Sequence, residues 1–204
     1  MSLTTADRLR SQTIQRWHTV QISMQQSVAA HSHNVGIIAE ALAELVEVPM
    51  TFEDKYYLLK YAQVHDLPEI IQGDLSSVYK RFLESRVPEF KAVQQEMEDM
   101  LVPELVTIRA HFEKKPVLRH ISKLADMIEA FTFFSKAKSG DTQHNNVVLE
   151  KLRIAILDKV KEGAQQFGWN DEKVVSFSFS LAKPYTTSAI VDFEVSFDNT
   201  RSAK

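Results

Sequence analysis

Only 5 Gly and 6 Pro occur in the 204 residues of this chain. A sequence so poor in breakers has few places to turn, and helices are the expected outcome. The apolar spacing agrees. Val28, His31, Val35, Ile38, Leu42 and Leu45 recur at steps of three and four, which places them on one stripe of a helix. That helix is predicted from its N-cap Ser27 to about Glu47. An opening helix is predicted over 4–17. Thr51 caps a third helix, with Asp54 in the capping-box place and Leu58, Ala62 and His65 facing inward. Pro68 begins a short helix that Gly73 stops, and 76–85 adds a further turn or two. A longer helix is predicted over 88–112, kinked or broken at Pro103, followed by the most apolar one over 116–138. Ser139-Gly140-Asp141 is a turn, and a last helix over 143–167 ends at Gly168. Beyond it the pattern changes: 173–181 and 188–197 alternate apolar with polar residues, the period of a strand. The expected fold is mainly α, a helical bundle over 1–170 with a short C-terminal β-hairpin in an extension over 171–204.

Composition narrows the function. Apolar residues make up 44% and charged residues 25%, enough to build an ordinary globular core. With 24 basic against 27 acidic residues there is no surplus of positive charge to neutralise a nucleic-acid backbone. Cysteine is absent, so disulfides, thiolate metal sites and cysteine nucleophiles are excluded. No apolar run is long enough to span a membrane, and the polar start MSLTTADRLR lacks the apolar core of a signal peptide. A cytoplasmic protein is the expectation.

Four residues on inward-facing helix positions could carry chemistry. His31 lies on the second helix's apolar stripe, where a single histidine is ordinarily a satisfied core residue. The third helix ends in Val64-His65-Asp66, and an Asp beside a His also serves simply as a charged helix end. Asp126 sits in a helix that is apolar nearly all round, where a carboxylate is costly unless paired, with Lys123 for instance, or bound to a metal. Taken together, two imidazoles and two carboxylates form a mixed N/O set suited to divalent Mn, Co, Fe, Zn or Mg. Glu69 follows His65 by four and Asp66 by three, beside the same site. It could handle the proton of an attacking water or be a surface residue in a helix's first turn.

The order His31, His65-Asp66, Asp126 resembles the H…HD…D signature of HD-domain metal-dependent phosphohydrolases. The similarity is greater to one branch, the small 5′-deoxynucleotidases and the related viral dATP triphosphohydrolases. It is carried by Arg16-Trp17, Ala30-His31-Ser32, His65-Asp66-Leu67-Pro68-Glu69, Gly73-Asp74-Leu75, Lys80 and Ala125-Asp126, from residue 16 to about 130. The resemblance implies an HD-domain helical bundle and a divalent cofactor held by His31, His65, Asp66 and Asp126. It implies that Glu69 acts on the attacking water and that Asp74 contacts the sugar at its 3′-hydroxyl. Trp17 would stack on or crowd the sugar and help to reject a 2′-hydroxyl, and Arg16 and Lys80 would meet phosphate oxygens. Two positions depart from the branch. Ala30 stands where many members have Glu, and Ser76-Ser77-Val78 where many have Pro-Thr-Pro.

The implied activity divides by substrate. A triphosphohydrolase would split a dATP-like dNTP into deoxynucleoside and triphosphate; a 5′-deoxynucleotidase would release phosphate from a monophosphate. Trp17-His18-Thr19 and Gln25-Gln26-Ser27-Val28-Ala29 look more like the viral members and favour the first. A reading of another class is a non-catalytic helical interaction module that keeps the metal for stability. The expected partner is a small deoxynucleotide, with neither nucleic acid nor membrane. A homo-oligomer is also expected, because Phe177, Phe179, Phe193 and Phe197 in the alternating tail need a covering surface.

Overall fold

The computed structural model describes residues 2–183, all but the first residue and the last 21. Helix α1 (Thr5–Leu9) passes into a 3-10 turn (Arg10–Gln12). Then come α2 (Val28–Leu45), α3 (Phe52–Val64), α4 (Glu69–Gln72), α5 (Ser77–Arg86), α6 (Phe90–Leu101), α7 (Glu104–Lys114), α8 (Pro116–Ala137), α9 (Gln143–Phe167) and α10 (Asp171–Ser180).

Local chemistry sets most of these ends. Ser27 caps α2 by accepting from the Ala30 N–H. Thr51 and Asp54 form the reciprocal capping box of α3. Gly73 (φ 74) and Gly168 (φ 76) close α4 and α9 in the left-handed region that glycine enters without penalty. Pro103 splits the predicted 88–112 helix outright into α6 and α7, since it cannot donate the hydrogen bond that would continue it.

The core lies among α2, α3, α7, α8 and α9. Leu42, Leu58, Leu105, Ile108, Leu118, Ile121, Leu124, Ile128 and Ile156 are all fully buried there. Helix α8 is central, packed on α2, α3, α7 and α9. That position explains its near-continuous apolar sequence, because a helix covered on several sides has no solvent face.

Two expectations fail. The opening helix stops at Leu9 and its 3-10 turn at Gln12. Residues 13–27 form a loop that pairs with the start of α2 and with the end of α8: the Val28 N–H donates to Ile14 O at 2.9 Å and the Ser23 N–H to Ala137 O at 2.6 Å. The first strand of the expected hairpin is a helix, and the second, over 188–197, lies outside the described residues. Asn170 caps α10 by accepting from the Lys173 N–H, and Asp171 and Glu172 occupy its first turn, where the helix dipole favours them. The alternating run also places Val174, Phe177, Ser178 and Leu181 at helical spacing, and the bundle buries Val174 and Ser178 on that face. Phe179 meets Phe131 edge-on at 5.2 Å and Phe177 packs on the core, so this chain supplies cover for those two; Phe193 and Phe197 lie outside the described residues. Among the described residues the only β pairings are two isolated bridges, Gln15 with Ser27 and Ile22 with Lys138.

Candidate metal and nucleotide site

Helices α2, α3 and α8 each deliver part of one polar cluster into this apolar packing. His31 comes from the first turn of α2 and is fully buried, and His65 is the residue that ends α3. Asp66 follows it, and Asp126 projects from the middle of α8. One ligand atom each of His31, His65 and Asp126 lie within 4.8 Å of one another. His31 Nε2 is 3.4 Å from Asp126 Oδ1 and 3.5 Å from Asp66 Oδ2, and His65 Nε2 is 3.4 Å from Asp66 Oδ1.

The hydrogen bonding leaves this cluster short of partners. His65 Nδ1 bonds to Ala62 O at 3.0 Å, and His31 Nδ1 to the Glu129 carboxylate at 2.6 Å. In both rings the nitrogen facing the acids, Nε2, is buried without a hydrogen bond. Two orphaned imidazole nitrogens are rare in a folded interior, and with two carboxylates beside them they fit a divalent cation. The charges tell the same story. Burial pushes His31 down, but the neighbouring Asp126 carboxylate and the bond to Glu129 outweigh it and raise the ring to about 9. A proton there stands where a cation would. Burial also works against the charge on Asp126, yet Lys123, His31 and His65 hold its carboxyl well below the ordinary range.

The remaining predicted residues surround the cluster. Arg16 Nη1 lies 2.5 Å from Asp66 Oδ2, so the guanidinium occupies one side of that carboxylate. Glu69 begins α4 and is 4% exposed. Burial, reinforced by the Asp66 charge and opposed by Arg16, raises its carboxyl to about 8. Lys80, half-buried on α5, also opposes that rise. Asp74 meets the 13–27 loop, where its Oδ2 accepts from the Trp17 N–H at 3.3 Å. Trp17 has φ 66, a left-handed backbone for a bulky residue, which costs on the order of 1–3 kcal/mol and must be held by its surroundings. Its ring stacks on Phe134 at 5.0 Å, and its Nε1 donates to Gln26 Oε1 at 2.9 Å. A cleft of about 490 Å³ opens beside it, lined by Arg16, Trp17, His18, Gln25 and neighbouring loop residues.

Lys123, named from sequence as the bland partner of Asp126, does pair with it at 2.6 Å, but through Oδ2, leaving Oδ1 toward His31. Two residues were given no site role from the sequence. Glu129 is 2% and Gln26 3% exposed, and both are tied to His31 or to its partner. Glu129 could have been found, since a second carboxylate in the apolar helix over 116–138 needs a buried partner as much as Asp126 does.

Fold and cluster together define the class, a helical bundle with an HD-type cluster of His and Asp side chains that could hold a cation. The chain belongs to the 5′-deoxynucleotidase YfbR-like family, whose model matches residues 4–168. It is 28% identical over 183 residues to the dATP triphosphohydrolase of Cyanophage S-2L, covering 88% of this chain and 95% of that one. It is 29% identical over 191 residues to a 5′-deoxynucleotidase of Shewanella oneidensis, covering 89% and 96%. Among solved structures it resembles the Cyanophage S-2L HD phosphohydrolase DatZ bound to dA and one catalytic Zn2+ ion. The TM-score is 0.71 at 25% identity, with 89% of this chain and 96% of that chain covered. No described helix is long and apolar enough to cross a membrane.

Proposed function

We propose that this protein is a divalent-metal-dependent phosphohydrolase that splits a dATP-like deoxynucleoside triphosphate into deoxynucleoside and triphosphate. The observation that carries the reading is the pair of orphaned Nε2 atoms of His31 and His65 facing Asp126 and Asp66. In this proposal those four side chains hold the ion, and zinc is the first candidate because the similar phage enzyme binds it. A divalent ion bound there supplies positive charge to the phosphoryl group and acidity to water. Glu69, with its carboxyl raised to about 8, accepts and returns the water proton near neutral pH. Arg16 and Lys80 contribute fixed charge to the phosphates. Trp17 and Asp74, joined by a backbone hydrogen bond, receive the sugar as a unit.

Release of phosphate from a deoxynucleoside monophosphate is the second reading, favoured by the family match and by the Shewanella oneidensis relative. Product analysis on dATP and dAMP with zinc, cobalt or manganese separates the two. Triphosphate and deoxyadenosine from dATP are expected. Free phosphate from dAMP with no triphosphate from dATP would reverse the assignment. Glu69→Gln should abolish turnover while zinc and dATP stay bound. A parent protein that hydrolyses neither nucleotide with any of these ions would instead favour a non-catalytic helical module.

A further inference from the structure

Glu129 contributes nothing to the cation set, yet it is buried almost as deeply as His31. Both its oxygens are engaged. Oε2 takes His31 Nδ1 at 2.6 Å, and Oε1 accepts from Gln26 Nε2 at 2.6 Å and from Asn34 Nδ2 at 3.2 Å. Gln26 in turn uses its own oxygen to accept from Trp17 Nε1 at 2.9 Å. The chain of bonds is therefore unbroken from the indole of Trp17 through Gln26 and Glu129 to the imidazole of His31. It joins the 13–27 loop to α2 and α8.

Its direction is fixed at both ends. An indole N–H only donates and a carboxylate only accepts, so the Gln26 amide can lie in one sense alone. Turned over, its NH2 would meet a donor and its oxygen a carboxylate. The same logic sets His31. With Nδ1–H given to Glu129, the ring is held in orientation, and Nε2 is presented to Asp66 and Asp126. A carboxylate behind a ligating histidine also makes that histidine a stronger donor to the ion.

We propose that Glu129 is a positioning residue for His31, and that Gln26 makes Glu129 and Trp17 one hydrogen-bonded unit, so that order in the nucleoside-facing loop and affinity for the cation are coupled. This rests on the cation site proposed above. The coupling is reciprocal: whatever factor zinc adds to deoxyadenosine binding, deoxyadenosine adds to zinc binding.

The test measures zinc dissociation constants by chelator competition, with circular dichroism as a check on folding. The proteins are the parent, H31A, E129Q, Q26L, Q26E and Q26E/E129Q. E129Q should weaken zinc binding about 10–100-fold. Q26L, altered at a residue that offers the ion no ligand, should also weaken it, and zinc should no longer tighten deoxyadenosine binding as it does in the parent. In Q26E/E129Q the amide and carboxylate exchange places along the same chain, with the Asn34 amide turned over so that its oxygen accepts from residue 129, and the double variant should bind zinc more tightly than the two single losses predict together. Losses that simply add, or E129Q binding zinc like the parent while H31A does not, would overturn the positioning role and leave the cation site standing. A parent that binds no zinc, or binds it regardless of His31, would overturn both. Should E129Q fail to fold, parental zinc affinity in Q26L would by itself remove Trp17 from the unit and refute the coupling.

Discussion

Replacing Gly163 by Ala tests whether the far side of the bundle is packed as described. Gly168 closes α9 in the left-handed region and turns the chain back, so that the Trp169 indole lies directly on Gly163. A Cβ at position 163 would fall 1.5 Å from Trp169 Cζ2 and 2.2 Å from two further ring atoms. Carbon atoms in contact need about 3.5 Å, so the ring would have to withdraw by about 2 Å. It is poorly free to do so. Trp169 is 5% exposed, its Nε1 donates to Val160 O at 2.9 Å, and its ring packs against His120 at 5.1 Å and Phe167 at 5.9 Å. Loss of a buried Trp costs about 3–5 kcal/mol, and its hydrogen bond about 1 kcal/mol more. Alanine returns about 1 kcal/mol of helix propensity. If most of the indole's packing is lost, the net is about 3 kcal/mol. For a chain of this size that lowers Tm by about 6–12 °C. Thermal unfolding followed by circular dichroism reads it directly, and in a Trp169→Ala background the same substitution should become neutral or mildly stabilising. Parental or higher Tm for Gly163→Ala alone would refute the packing argument.

Other expectations concern the cation. Exhaustive chelation should remove activity and lower Tm, because an ion bound only to the native state stabilises it; full activity after chelation would count against the site. The gain in Tm on adding zinc should grow between pH 6.5 and pH 9. Without the ion, His31 is raised from 6.5 to about 9, so its protonated form stabilises the fold below pH 6.5. That contribution, at most about 3 kcal/mol, is lost as pH climbs through 9, while zinc has progressively less proton to displace. A zinc effect flat across this range, followed by differential scanning fluorimetry, would contradict the account. Asp126→Asn should weaken zinc binding at least tenfold in chelator competition, since one charged ligand becomes neutral.

Element by element, the parts legible in the sequence were those set by neighbours along the chain. Ser27 and the Thr51–Asp54 box start their helices as read, and Gly73 and Gly168 end theirs, because a cap is satisfied within three or four residues. His31, His65, Asp66 and Asp126 were legible as candidates because polar groups on apolar helical faces demand partners. The alternating run after residue 173 misled, since so short a pattern fits a strand and a half-buried helix alike, and packing against α2, α8 and α9 decided between them. The loop over 13–27 was hidden for a related reason. Its bonds run to Ala137 and Asp74, more than fifty residues away, and hold Trp17 in a conformation no local preference favours.

What the sequence alone determined, then, is a helical chain carrying two imidazoles and two carboxylates on faces that must turn inward. Only the tertiary structure decided that His31 and Asp126, 95 positions apart, come within 3.4 Å, and that Glu129 and Gln26 stand behind them. The physical reason is range: propensity and capping act over a turn of helix, whereas the partner of a buried charge is chosen by which helices cross.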